Sequence, residues 1–109
     1  GLEGFQIQLR KDATANHVTT MIFSEFGRRV KENKSGGTDH GTAAPMFLMG
    51  ENVKPGLHGK TPSLSDLDQG DLKFTTDFRS AYADILQNWF SVDPLPILGQ
   101  KFDPLKIIG

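Results

Sequence analysis

The stretch that decides the fold is VTTMIF, residues 18–23, followed at once by SEFGR, residues 24–28. The first six residues are β-branched or apolar, which is typical of a strand that is buried on both faces. The strand ends abruptly in polar residues, and open α/β sheets hold their ligands where strands end. This segment therefore predicts a buried strand with a candidate site directly after it.

The flanking segments predict an α/β fold around this strand. Apolar residues at helical spacing indicate an amphipathic helix over Leu2–Asp12, and Pro45–Gly50 is typical of a second buried strand. A second helix begins at Thr76 or Asp77 and cannot continue past Pro94. Its apolar stripe consists of Phe78, Tyr82, Ile85, Leu86 and Trp89.

The remaining segments lack a regular pattern. Residues 28–44 are polar and rich in glycine, and residues 51–72 form a long irregular stretch with several Pro and Gly breaks. Long loops inside compact domains usually carry function. The tail from Leu95 to Ile108 is apolar enough to pack back on the rest of the chain.

Composition excludes several classes of protein. The chain has 109 residues, about one small domain, with a net charge of −1 and no cysteine. It therefore has no disulfide, no thiolate metal site and no Cys nucleophile. The one basic cluster, Arg28–Lys31, is too short to favour nucleic acid. No apolar run approaches the length of a membrane span, about 20 residues.

The first candidate site lies where the first strand ends. Ser24 is a possible nucleophile, although the G-x-S-x-G elbow is absent. Glu25 is a possible metal ligand or general base, and Arg28 or Arg29 has the chemistry to grip an oxyanion. The alternative interpretation is a strand-to-loop turn that contains an Arg–Glu ion pair.

The second candidate site is the Gly-rich segment SGGTDHGT, residues 35–42. The carboxylate of Asp39 and the imidazole of His40 suit Zn, Mn or Mg, and the glycines allow the backbone to approach a ligand. The alternative is a turn in which Asp39 bonds local amides and His40 is half-buried.

Two further patterns favour ordinary structural roles. His58 lies in a Gly- and Pro-rich loop and is typical of a solvated turn residue. The carboxylates Asp66, Asp68 and Asp71 are spaced a little like those of a calcium loop, but the Glu at position 12 of such a loop is absent.

The motif blocks together resemble the C-terminal part of a bacterial family designated domain of unknown function 1501. The blocks are FSEFGR (residues 23–28), GGTDHG (36–41), GLHG (56–59) and TDFR (76–79), and the resemblance covers nearly the whole chain. The family is similar to the alkaline phosphatase and sulfatase superfamily. The resemblance implies that residues 1–109 are one segment of a larger, exported (periplasmic or extracellular) protein with an alkaline-phosphatase-like parallel sheet.

The resemblance also implies functional roles. The superfamily binds two divalent metals where its parallel strands end, and its nucleophile comes from the N-terminal half. Glu25 and His40 would be ligands of Zn, Mn, Mg or Ca, Asp39 a ligand or an orienting residue, and Arg28 an oxyanion clamp. Phe26 stands where the superfamily has a His ligand. The implied function is hydrolysis of phosphate or sulfate esters.

A second hypothesis keeps the fold without the catalysis. In that case the chain is a degenerate relative that binds a partner or a polysaccharide through residues 41–72, and a small anionic ester is a further candidate ligand. Ser24–Arg28 follows one buried strand and Asp39–His40 precedes the next, so we expect the two segments to converge at one edge of the sheet. The two short helices cannot cover a buried sheet on both faces. We therefore expect the second-helix stripe and Met46–Met49 to contact protein outside this segment, either the remainder of its own chain or another copy.

Overall fold

Every β-strand in the chain is short and pairs antiparallel with one other strand. The computed structural model describes all residues, 1–109, and its content is mixed α/β, as predicted. A 3₁₀ turn follows the first helix, and a π-helical stretch continues the second. The elements are α1 (Leu2–Lys11), the 3₁₀ turn (Ala15–His17), β1 (Thr20–Ile22), β2 (Gly27–Glu32), β3 (Thr38–Gly41), β4 (Phe47–Met49), β5 (Leu67–Asp68), β6 (Asp71–Leu72), α2 (Phe78–Asp84), the π stretch (Ile85–Trp89) and α3 (Leu95–Leu98).

The chain divides into two compact units that alternate along the sequence. Unit 1 comprises Gly1–Ile22, Phe47–Gly56 and Phe78–Gly109, and it contains the three helices and the β1–β4 ribbon. Unit 2 comprises Phe23–Met46 and Leu57–Asp77, and it contains the β2–β3 and β5–β6 hairpins. Each candidate site residue belongs to unit 2.

The direction of strand pairing corrects the sequence prediction. The two apolar strands exist, but β1 pairs antiparallel with β4, with Thr20 opposite Met49 and Ile22 opposite Phe47. A parallel pair needs a crossover connection, which is usually a helix. The segment between these strands forms a hairpin instead, so the chain returns in the opposite direction. The predicted parallel sheet is therefore wrong for these strands.

The β2–β3 hairpin occupies residues that the sequence pattern left irregular. The strand β2 has the sequence GRRVKE, and only its first residue, Gly27, is buried. A strand that faces water on most of its length lacks the apolar signal on which strand prediction depends. Backbone pairing and the turn at its tip stabilise this hairpin, and neither shows as a hydropathy pattern.

The C-terminal tail packs back on unit 1, as predicted. Ile107 and Ile108 are buried, and Ile108 forms a β-bridge with Val53. The fully buried carboxylate of Asp84 accepts hydrogen bonds from the backbone N–H of Ile107 (2.7 Å) and of Ile108 (3.3 Å). The tail is thus held by a helix residue on one side and by residues 52–54 on the other.

The buried side of α2 differs from the predicted apolar stripe. Its buried residues are Ala81, Ala83 and Asp84, whereas Phe78 at the start of the stripe is 55% exposed. The tail explains the difference, because the N–H groups of Ile107 and Ile108 need an acceptor and Asp84 supplies it. The covered side of the helix thus combines the apolar Ala81 and Ala83 with the buried polar contact of Asp84.

Helix α1 is confirmed at its predicted position, and two of its side chains form hydrogen bonds to Glu51, which follows β4. The carboxylate of Glu51 accepts hydrogen bonds from Nε of Arg10 (2.7 Å) and Nε2 of Gln6 (3.2 Å). These contacts, with Arg10 the larger contributor, lower the pKa of Glu51 below its ordinary value of 4.5. A carboxyl group with a lowered pKa in the folded state stabilises the fold most when it is ionised.

We expect the contribution of Glu51 to disappear in acid. It is fully present above about pH 4.5 and is lost as the pH falls through the lowered pKa of the folded state. Thermal unfolding of the intact protein should therefore separate wild type from Glu51→Gln at neutral pH, and the two should converge near pH 3. Glu3→Gln, which changes an exposed carboxylate of helix α1 itself, is the control. An unchanged difference between wild type and Glu51→Gln at both pH values would contradict the assignment.

No helix has both the length and the apolar character that a membrane span requires.

Many large apolar side chains remain exposed in both units. The residues of unit 1 with large exposed apolar side chains are Leu2, Phe5, Ile7, Phe47, Phe78, Phe90, Val92, Leu95 and Ile97. Those of unit 2 are Phe23, Val30, Leu57, Leu64 and Phe74.

Candidate functional site

The β2–β3 hairpin brings the two predicted motif blocks together. Gly27 lies opposite Gly41, and Arg28 lies opposite His40, in antiparallel register. The prediction that the blocks converge is confirmed, although an antiparallel hairpin joins them rather than one edge of a parallel sheet. Between Arg28 and Glu32 the register shifts, so β2 bulges against β3. Such bulges re-aim side chains and are frequent beside active sites.

The base of the hairpin requires two glycines. A Cβ atom at Gly27 would lie 1.7 Å from the backbone oxygen of Ala43, and one at Gly41 would lie 2.8 Å from the carbonyl carbon of Arg28. Both contacts are to backbone, which cannot move aside as a flexible side chain can. The glycines in the SEFGR and TDHG blocks therefore set the close approach that places Arg28 beside His40.

An aromatic stack forms at this base. The rings of Phe26 and His40 lie 3.6 Å apart between centroids and are tilted by 15°. Cζ of Arg28 lies 5.2 Å from the centroid of the same Phe26 ring, within cation–π distance. His40 is exposed rather than half-buried, and Phe26 is half-buried. Phe26 thus contacts both His40 and Arg28.

The two arginines, equivalent candidates in the sequence, have different partners. Arg29 donates from Nε and Nη2 to the two carboxylate oxygens of Asp71, each at 3.1 Å, and also to the backbone oxygen of Gln69. The hydrogen bonds from Arg29 to Asp71 and their mutual attraction raise the pKa of Arg29. Arg28 donates only from Nη1, to the backbone oxygen of Thr38 at 2.9 Å. Its remaining N–H groups are the ones available to an anion.

Asp39 is engaged at the tip of the hairpin. Its Oδ1 accepts a hydrogen bond from Nδ2 of Asn33 at 3.0 Å. Oδ1 of Asn33 in turn accepts from the backbone N–H of Ser35 and Gly37, which closes the turn. This arrangement agrees with the turn interpretation for Asp39. Asp39 therefore contacts Asn33 while its neighbour His40 contacts Phe26, as expected for successive residues of a strand.

Ser24 and Glu25 lie exposed in the bend between β1 and β2. The hydroxyl of Ser24 donates to the backbone oxygen of Phe26 at 2.8 Å, so it supports the bend. The Arg–Glu pair of the turn interpretation does not form at Glu25, because Arg29 pairs with Asp71 instead. The roles of Ser24 as nucleophile and of Glu25 as ligand stay predictions.

The donor atoms of the site fit a divalent metal in kind but not in number. Imidazole and carboxylate are suitable ligands for Zn or Mn. However, no group of three His, Asp or Glu residues that could hold a metal ion is found in the chain. Two carboxylates of the calcium-like stretch form ion pairs with cationic side chains. Asp66 pairs with Lys73 (2.6 Å), and Asp71 pairs with Arg29. Metal binding by Glu25, Asp39 and His40 therefore stays a prediction.

Sequence reasoning missed three residues that shape the site. Asn33 closes the hairpin tip, Asp71 holds Arg29, and Phe26 stacks on His40. An Asn two positions before a Ser-Gly-Gly run is a turn signal and was available in the sequence. The pairing of Asp71 with Arg29 joins residues 42 positions apart and leaves no local signal.

An open depression on unit 2 collects the candidate residues of the hairpin. It is lined by Arg28, Arg29, Asn33, Thr38, Asp39 and His40.

No curated protein and no solved structure matches the chain significantly. The family model described as protein of unknown function (DUF1501) matches residues 1–91. Since this match covers well over half of the 109 residues and includes the whole β2–β3 hairpin, the chain belongs to the DUF1501 family.

Proposed function

We propose that the chain is part of a hydrolase of phosphate or sulfate esters, similar to the alkaline phosphatase and sulfatase superfamily. In this proposal the β2–β3 hairpin binds the anionic group of the ester. The observation that carries it is the placement of Arg28 directly opposite His40, with both side chains exposed in the same depression.

The chemistry of Arg28 supports an anion as the ligand. A guanidinium presents several N–H donors in a planar fork that matches the oxygens of phosphate or sulfate. Thr38 takes up one donor nitrogen of Arg28, whereas a carboxylate and a backbone carbonyl hold Arg29. An anion that enters the depression therefore meets the guanidinium of Arg28 without displacing an ion pair.

The proposal includes a divalent metal, Zn, Mn, Mg or Ca. His40, Asp39 and Glu25 are the candidate ligands within this chain, and the superfamily likeness suggests that further ligands lie outside it. Because three ligands do not gather here, we assign no chemical step to the metal. Ser24 is the candidate nucleophile within this segment, whereas the superfamily likeness favours a nucleophile from outside it.

A second candidate function is ligand binding without catalysis. The stack of His40 on Phe26 favours it, because the stack orients the imidazole on the strand opposite Arg28, where both side chains can contact an anion. The segment 57–66 of unit 2, nearly all of it exposed, would offer the contact surface for a polysaccharide or a partner. In that case anion binding at Arg28 persists while ester hydrolysis is absent.

We also propose that the chain acts as one segment of an alkaline-phosphatase-like domain in an exported, periplasmic or extracellular protein. The exposed apolar side chains of both units support contact with the remainder of the protein or with another copy of it. Export rests on the family resemblance alone.

The test is an Arg28→Ala variant of the intact protein, assayed with 4-nitrophenyl phosphate and 4-nitrophenyl sulfate in the presence of divalent metals. Loss of a charge-assisted contact to the reacting group should lower kcat/KM about 10- to 100-fold. Lys34→Ala removes an exposed cation from the same hairpin and should change kcat/KM less than about twofold. Equal activity of wild type and Arg28→Ala would overturn the role of Arg28.

Wild-type protein that hydrolyses neither ester at full metal occupancy would favour the binding function. Calorimetric titration with inorganic phosphate then decides whether the anion site exists. Binding that Arg28→Ala weakens would support it, and no binding by wild type would overturn it.

A further inference from the structure

Phe26 is placed differently from the other phenylalanines of unit 2. Phe23 and Phe74 are about 60% exposed, at 59% and 63%, whereas Phe26 is half-buried just before β2. The Phe26 ring stacks on the imidazole of His40 and lies near the guanidinium of Arg28, the two side chains to which the proposed anion site is assigned.

The two contacts restrict side chains that would otherwise be mobile. Arg28 and His40 are both exposed on a hairpin, and a long exposed side chain samples many rotamers. The Phe26 ring attracts the guanidinium through its π-face and stacks with the imidazole. Together with the bond from Arg28 to the Thr38 oxygen, these contacts favour the orientation of each side chain that the structure has.

Stacking also leaves the polar atoms of His40 accessible. The contact with Phe26 uses the face of the imidazole, and both ring nitrogens lie on its edge. An oxyanion can therefore accept hydrogen bonds from His40 and from Arg28 while the stack stays intact. A site that is ordered before its ligand arrives binds more tightly, because less rotamer freedom is lost on binding.

We infer that Phe26 is a positioning residue for the anion site, holding the Arg28 guanidinium and the His40 imidazole in one arrangement that receives a tetrahedral oxyanion. The inference rests on the proposed function, because it deepens the assignment of that same site. Phe26 itself makes no contact with the anion in this arrangement. Its substitution should therefore act on affinity through the order of its two neighbours.

The experiment compares wild type, Phe26→Ala, Phe26→Tyr and Phe74→Ala in the intact protein, with inorganic phosphate as the probe in calorimetric titration. Phe26→Ala should weaken phosphate binding about tenfold, and Phe26→Tyr, which keeps the ring face, should restore it to within about twofold. Phe74→Ala removes an exposed phenylalanine of the same unit and should leave binding unchanged. The NMR signals of the His40 ring protons should lose a ring-current shift in Phe26→Ala and keep it in Phe26→Tyr.

The outcomes separate the inference from the proposed function. Wild type that binds phosphate with the same affinity as Phe26→Ala would overturn the positioning role and leave the anion site standing. Wild type that binds no phosphate would overturn the anion site itself. Weaker binding in Phe26→Ala without rescue by Phe26→Tyr would also count against positioning by the ring face.

Discussion

Replacement of Gly27 by alanine is expected to destroy the β2–β3 hairpin. The added Cβ would stand 1.7 Å from the backbone oxygen of Ala43, about half the ordinary contact distance between such atoms. The obstacle is backbone in a segment that is itself held in place, since the preceding residue, Thr42, donates to the backbone oxygen of Leu72 in β6. The strand must therefore shift, and Gly27 can no longer pair with Gly41.

We expect Gly27→Ala to destabilise the intact protein by about 3 kcal/mol or more, at the upper end for overpacking. Urea denaturation measures the loss, and the amide signals of residues 27–41 should shift together. The matched control is Gly37→Ala on the same hairpin, where the new Cβ meets only Oδ1 of Asn33, at 3.9 Å. Similar stability for Gly27→Ala and Gly37→Ala would show that the hairpin base is looser than described.

Truncation of Asp84 to alanine is expected to release the C-terminal tail. The carboxylate is fully buried and accepts hydrogen bonds from the backbone N–H of Ile107 and Ile108, as well as from Nδ2 of Asn88. Alanine leaves the N–H groups of Ile107 and Ile108 buried without an acceptor, and each such group costs about 1–3 kcal/mol. The expected loss is therefore about 3 kcal/mol or more.

Amide hydrogen exchange measures directly whether the tail is released. The amides of Ile107 and Ile108 should exchange much faster in Asp84→Ala, and the free energy of unfolding in urea should fall. Asp84→Asn keeps one side-chain oxygen as acceptor and should cost less than alanine. Asp103→Ala removes an exposed carboxylate near the tail and serves as the control. Unchanged exchange at Ile107 in Asp84→Ala would refute the role of this carboxylate.

The site was predicted in part. The sequence indicated that Ser24–Arg28 and Asp39–His40 converge, and the register of Arg28 opposite His40 confirms it. It also left open whether Asp39 is a ligand or a turn residue, and the bond from Asn33 agrees with the turn interpretation. Catalysis by Ser24 and metal binding by Glu25, Asp39 and His40 stay predictions.

Most helices and strands of the fold were likewise predicted, but the way in which the strands pair was not. Helix α1, the strands β1 and β4, the second helix and the packed tail follow from local spacing of apolar residues and from Pro94. The β2–β3 hairpin was not predicted, because the side chains of β2 are mostly charged and exposed. Hydropathy reports burial, so a strand without a buried face is invisible to it.

The sequence alone therefore determined which segments are helical or extended and that two glycine-bearing polar blocks meet. Only the tertiary structure decided that the strands pair antiparallel, that Arg29 is bound to Asp71 while Arg28 keeps free donors, and that Phe26 lies against His40. The physical reason is the separation along the chain over which each interaction acts. Backbone preference and hydrophobic periodicity act between residues a few positions apart, whereas two chemically identical arginines are distinguished only by a partner 42 residues away.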